Sequence, residues 1–260
     1  MSRLMLPFAL ALLGCPNRPP VERGVQLVYR KPAVNLEDRE EPIRSVVDRR
    51  LAQLKLQANL HEDSTTLTVR VTEGADLARI KALFAQQGHL EFCGEDENLA
   101  RGWCDEAWPA GVTTDSAGSA CSLVGQRRDL ERALPDAGSQ IAWGPSAAWA
   151  IGACQSPRIV SAEVKDQPPS VMLDFDRAGG REFATFTRGL VGRRMVIRLD
   201  GVVHSAPLVR EAITGGRAMI TTGTLNRAER EVLAASLLGG VLPVLVLENE
   251  GTWGPPSLRR

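Results

Sequence analysis

Met195-Val-Ile-Arg-Leu-Asp-Gly-Val-Val-His-Ser205 is the stretch from which the fold can be read. Two apolar arms flank Asp200-Gly201, the residues a type I′ turn prefers at its two central positions, so the spacing predicts a tight hairpin. Upstream, Asp176 can cap a helix whose inward face is Phe183, Phe186 and Leu190 and which Gly192 ends. Gly179 and Gly180 each cost that helix about 1 kcal/mol of propensity. Val171 to Phe175 and Ile159 to Val164 read as strands joined through Asp166-Gln-Pro-Pro169. Downstream come Gly215-Gly216, a short strand over Met219 to Thr221, and a helix capped by Thr224 with Leu225, Ala228, Val232 and Ala235 on one face. The apolar run from Val232 to Leu247 is interrupted by Gly239, Gly240 and Pro243. It is shorter than the roughly 20 residues a span needs, and predicts a helix end, a cap and a buried strand.

The first third has the same grain. Val25 to Arg30 reads as a strand. Ile43, Val46, Val47, Leu51 and Leu54 share one face of a helix begun at Pro42. Leu67 to Val71 alternates at period two, and Leu77, Ile80 and Phe84 mark a second helix that Gly88 stops through a left-handed cap. Leu90-Glu-Phe92 opens another strand. The order predicts an α+β fold with helices on one face of an antiparallel sheet. Residues 94 to 158 break the pattern. They are rich in Gly, Pro, Ser and Trp, only Asp129 to Leu134 is weakly helical, and they read as a loop-rich insertion.

The N-terminus bears on location. Arg3, the apolar run Leu4 to Leu13, and Gly14 before Cys15 form the basic, hydrophobic and cleavage regions of an export signal. Ten or so apolar residues are too few to span a bilayer. With Cys15 at the cleavage point, residues 1–14 are expected to be removed and Cys15 lipidated, leaving residues 15–24 as a tether. The expected location is therefore the cell envelope, lipid-anchored to a membrane and facing the periplasm.

Lys and Arg (31) balance Asp and Glu (31), and no basic run exceeds two residues, which argues against a nucleic-acid partner. Past Cys15 four cysteines remain, Cys93, Cys104, Cys121 and Cys154, an even number for an oxidising compartment. They predict two disulfides. Cys93 to Cys104 with Cys121 to Cys154 is favoured among three connectivities because it closes short loops. No C-x-x-C occurs and His61, His89 and His204 are scattered, so neither metal nor cofactor is expected.

No catalytic constellation is visible, and an enzyme is not expected. Asp174 and Asp176 alternate with Leu173 and Phe175 as the wet face of a strand would. Adjacent His204 and Ser205 point to opposite faces of theirs, which does not suit a base and its nucleophile. Gly215-Gly216 lacks the setting of a phosphate loop and reads as a turn. Binding is the better-supported class, and Trp103, Trp108, Trp143 and Trp149 in the insertion are the candidates for contact with polypeptide; a small satellite core around the disulfides is their structural alternative.

Leu199-Asp-Gly-Val-Val-His-Ser-Ala-Pro-Leu-Val-Arg-Glu-Ala-Ile-Thr-Gly-Gly216 resembles the LDG-x-V-x-SAP-x-V…I-x-GG motif of the SecD family, a component of the SecDF protein-export machinery. Phe183 to Gly192, Leu237 to Pro243, Gly254 to Leu258, Ile43 to Leu56 and His89 to Phe92 resemble further family motifs, strongly from Val171 onward and faintly between Gly94 and Arg158. The resemblance implies a first periplasmic domain built from a ferredoxin-like base and an inserted head. The base would combine residues 25–94 with 219–260, and the head would be residues 95–218. Two departures stand out. The family's opening G-L-D-L-x-G-G is reduced to Gly24-Val-Gln-Leu27, and SecD continues beyond its last motif into proton-conducting helices, whereas this sequence ends two residues after Leu258. The implied function is capture of unfolded or emerging polypeptide beside export-machinery membrane proteins. A structural or assembly lipoprotein holding an envelope partner, and a periplasmic hydrolase, are the alternatives.

Overall fold

The computed structural model describes residues 23–32, 41–117, 120–134, 140–223 and 225–254; residues 1–14, expected to be a signal, Cys15 and Thr224 lie outside them. In chain order the first elements are β1 Gly24–Arg30, α1 Ile43–Gln53, β2 Asn59–Glu62, β3 Thr66–Thr72, α2 Leu77–Ala85 and β4 Leu90–Glu95. The insertion holds α3 Glu97–Asp105, β5 Val112–Ala117, β6 Ala120–Gly125, α4 Arg127–Ala133, β7 Ile141–Trp143 and β8 Ala147–Gln155. Then follow β9 Ile159–Asp166, β10 Pro169–Phe175, α5 Arg177–Gly189, β11 Met195–Leu199, β12 Val202–Ser205, β13 Arg217–Thr221, α6 Arg227–Gly239 and β14 Val246–Trp253. The protein is α+β, and among the described residues no helix is long and apolar enough to cross a membrane.

Three sheets organise these elements. The first has the order β14-β1-β3-β2, with every neighbour antiparallel. Leu27, Tyr29, Leu67, Val69 and Val71 lie on its buried face, packed with Ile43 and Val47 of α1 and Ile80 and Phe84 of α2. With α1 and α2, its strands follow the sequence β-α-β-β-α-β, the last strand supplied from the far end of the chain. The second sheet, β13-β10-β9, turns Val171 and Leu173 inward toward α5 and α6. The third joins β12, β11, β4, β8, β6 and β5, with β7 against β8.

Helix α6 holds the first two sheets together. Val232 and Ala235 belong to the core of the first sheet, while Leu233, Ala234 and Leu237 belong to that of the second. A helix apolar on opposite faces is buried on both, and this one packs against α1, α2, β9 and β10. It begins with a capping box, in which Asn226 accepts from the Glu229 amide and the Glu229 carboxylate accepts from the Asn226 amide. The cap is thus Asn226, two residues beyond the expected Thr224.

The Asp200-Gly201 hairpin forms as expected, with φ of 51° and 81° at its two turn residues. Other expectations are corrected. The insertion is not loop-rich, because β6 and β8 pair and α3 and α4 cover them around Trp103, Leu123 and Leu130. Its strands carry no period-two signal, because β8 opens on small buried residues, Ala147, Ala148 and Ala150, and β5 is polar and exposed from Thr113 to Ser116. α2 ends at Ala85 with an extended Gln86, so Gly88 is not its cap. Gly88 (φ 77°) instead permits close packing, since a Cβ there would lie 2.6 Å from the Ser236 carbonyl oxygen. β14 is an exposed edge strand rather than a buried one. The boundary expected between residues 218 and 219 falls within β13, whose residues pair throughout with β10.

The disulfide pairing is corrected as well. Cys93 bonds Cys154, and Cys104 bonds Cys121. Cys93 and Cys154 face each other where β4 pairs with β8, so the first bond ties the two strands through which the chain enters and leaves the insertion. The second fastens α3 to β6. Choosing pairs by loop length missed this, because a strand pairing across 61 residues outweighed proximity in the chain.

Candidate functional site

The polar residues singled out in the sequence do not converge. Asp174 pairs with Arg217 at 2.5 Å, and Asp176 caps α5 by accepting from the Gly179 amide at 2.7 Å. His204 Nε2 lies 2.9 Å from the Thr221 carbonyl oxygen, while Ser205 sits opposite Ile197 on the neighbouring strand. Gly216 (φ 65°) is a turn glycine, and a Cβ on Gly180 would lie 3.1 Å from its Cα. Among the described residues no cluster of three or more His, Cys, Asp or Glu could hold a metal.

The four tryptophans form packing rather than an open face. Trp103 is buried, and the Trp108 indole N–H donates to its carbonyl at 3.0 Å. Arg127 lies over the Trp143 ring at 4.4 Å, and half-buried Trp149 packs against the cluster of Cys93, Ala142, Ile151, Val196 and Val203. Indole rings in a segment poor in large aliphatics are needed to fill its core. Among the described residues no aromatic ring is one of the exposed large apolar side chains, which include, beside Val244 at 59 % and Val202 at 54 %, Val160 at 52 % and Val241 at 46 %.

Val160 and Val241 mark a trough that the sequence did not announce. α6 separates β9 from the end of α1, and beside its C-terminal half an open cleft of about 810 Å³ is lined by Ile159, Val160, Leu237, Leu238 and Val241. A smaller cleft of about 370 Å³ shares Gln53 and Leu238 with it and continues past Ala162 and Val164 to Lys55. Together they follow β9, which pairs with β10 on one side only and therefore keeps one free edge. Register slips where Phe175 faces Ile159 and Asp174 faces Ser161, leaving Val160 as the extra residue of a bulge. A bulge re-aims its side chain and bends its strand, which accounts for the exposure of Val160 at the mouth of the cleft. Alternation along β9 was legible; its position at a sheet edge was not.

Two arginines shape the floor. Arg49 pairs with Glu41 and also donates to the Gly239 carbonyl from Nε at 3.1 Å and Nη2 at 2.7 Å. The pairing holds the Glu41 carboxyl below its ordinary range. Fully buried Arg50 donates to the carbonyls of Leu83, Gln86, Gln87 and Gly240 at distances between 2.5 and 3.1 Å. Burial lowers its pKa to about 10, so it stays charged at neutral pH. Asp200 completes the joint, accepting from the amides of Gln87 at 3.0 Å and His89 at 2.8 Å. Helices α1, α2 and α6 and the hairpin thus meet where the chain leaves the first sheet and where it returns.

Comparison with known proteins shows what the chain is similar to. The family model "SecDF, P1 head subdomain" matches residues 155–244, from the end of β8 to just beyond α6. The protein translocase subunit SecD of Magnetococcus marinus is 44 % identical over 88 residues, 34 % of this chain and 17 % of that protein. That of Acidaminococcus fermentans is 47 % identical over 97 residues, 36 % and 22 % of the two chains. The chain thus spans about a fifth of such relatives. Among solved structures, SecDF in a super-membrane-facing form aligns with 93 % of this chain and 32 % of its own at a TM-score of 0.59 and 23 % identity. A structure of SecDF described as a membrane component that enhances protein export aligns with 87 % of this chain and 98 % of its own, at a TM-score of 0.53 and 24 % identity. At these identities the structures speak to fold, and the family-model match speaks to residues 155–244. The chain is SecD-like, with the fold of the SecDF P1 region and a match to its head subdomain over residues 155–244.

Proposed function

We propose that the protein is a non-enzymatic, lipid-anchored SecD-like periplasmic domain that binds unfolded or emerging polypeptide and is accessory to protein export. The first sheet with α1 and α2 serves as a ferredoxin-like base, and polypeptide is held in extended form along β9. The observation that carries this reading is the free edge of β9 beside a cleft with Val160 and Val241 at its mouth. An extended chain adds to such an edge through main-chain hydrogen bonds, while its alternate side chains enter the cleft, whose lining mixes Ile159, Val160 and Leu237 with Gln53, His89 and Arg158. This needs no catalytic group, nucleotide or metal. It also suits clients of many sequences, because every peptide offers the same backbone. SecD relatives are named as translocase subunits, and one SecDF structure is described as enhancing export.

The test is binding of one client in folded and unfolded forms to the purified protein, repeated with Val160→Ser. Preference for the unfolded form, weakened by the substitution at unchanged thermal midpoint, supports the reading. Equal affinity for both forms, or indifference to the substitution, points to the partner-holding alternative. Anchorage is tested separately: Cys15→Ser should release the protein from membranes, and a variant that stays bound overturns the lipid assignment.

A further inference from the structure

The trough is cationic although the chain as a whole is neutral. Its two carboxylates are both engaged by arginines of the same trough, Glu41 by Arg49 and Glu231 by Arg79. Lys55 at one end and Arg158 at the other line it without an ion-pair partner among the described residues. Beneath it, Arg50 hydrogen-bonds only carbonyl groups and has the Asp200 carboxylate of the same joint as an opposing charge, so the excess of positive charge rests on Lys55 and Arg158. The C-terminus of α6 would ordinarily lend negative potential here, but Arg49 and Arg50 occupy its Gly239 and Gly240 carbonyls. Clefts lined by one sign of charge concentrate the opposite sign.

We infer that the trough selects extended polypeptide segments in which an apolar stretch is flanked by acidic residues, one toward Lys55 and one toward Arg158. Ile159 to Val164 separates the two ends by about 17 Å at the rise of an extended strand, so a flanked stretch of about six residues fits. This inference rests on the trough being the polypeptide site.

The experiment uses the full chain and two synthetic peptides with one apolar core, flanked by Asp in one and by Lys in the other, whose affinities are measured by fluorescence at low and high salt. The Asp-flanked peptide should bind about five- to tenfold tighter at low salt, as expected for two solvent-exposed charge pairs. That difference should shrink as salt rises. Lys55→Glu/Arg158→Glu should reverse the order, and Val160→Ser should weaken both peptides alike. Equal affinity for the two peptides, with both weakened by Val160→Ser, overturns the charge selection and leaves the site standing. If Val160→Ser affects neither peptide, the site itself is wrong and the inference falls with it.

Discussion

The first sheet and the inserted lobe reach cohesion by different means. Beneath the first sheet lie Leu27, Leu67, Val69, Ile80 and Leu83, all buried, with three helices covering them. The lobe's core leans on Ala100, Ala148, Ala150 and Cys121 around Leu123, Leu130 and Trp103. At about 25 cal/mol per Å² of buried apolar surface, alanine contributes far less than leucine. Two disulfides make up what area does not supply, one across the lobe's neck and one inside it. The first sheet is held by burial and can accommodate a charged side chain among its helices. The lobe is held by covalent bonds.

The largest expected effect is on the burial side. Arg50→Ala should destabilise the first sheet and its helices by about 3–5 kcal/mol, because four carbonyls lose their donor and a cavity opens. Urea unfolding measures it. A loss within experimental error would mean that water replaces the guanidinium and that the joint is not buried as described. Next, Cys104→Ser/Cys121→Ser should cost about 3 kcal/mol, as a short closed loop predicts. The loss should be local. Amide exchange should quicken in α3, β5 and β6 while β1 and β3 keep their protection, and uniform quickening would erase the contrast between the two regions.

The smallest effect lies at the neck. Glu95 is buried, its Oε2 accepts from the Arg194 amide at 3.2 Å, and its Oε1 has no partner among the described residues. Burial raises its pKa, so the folded state holds the proton more tightly than the unfolded state does. Stability should therefore fall as pH rises from the ordinary glutamate range through the raised value. Glu95→Gln should be slightly more stable than the parent at neutral pH and equal to it below the ordinary range. Urea midpoints across pH check this, and parallel profiles would refute it.

Local rules carried the sequence reading where neighbours in the chain are neighbours in space. Asp200-Gly201, the Asp176 cap and the face of α1 were legible because turn geometry, capping and helical period act over a few residues. What failed depends on distant partners. The pairing of β4 with β8 fixed the disulfides, the position of β9 at a sheet edge created the trough, and neither leaves a local mark. Arg50 was hidden for a related reason. Arginine on an amphipathic helix reads as solvated, and only the carbonyls gathered around it from α2 and α6 make it internal.

The pairing of Gly24 with Trp253 places the first and last strands of the fold side by side, running in opposite directions. Tension applied through both ends would act at the same end of that ribbon and part its hydrogen bonds one after another, as a zipper opens. Strands pulled along their length from opposite ends would have to break all their bonds together. The described fold is therefore mechanically soft between its ends: a small force would peel β14 from β1 before it disturbed the trough or the cross-linked lobe.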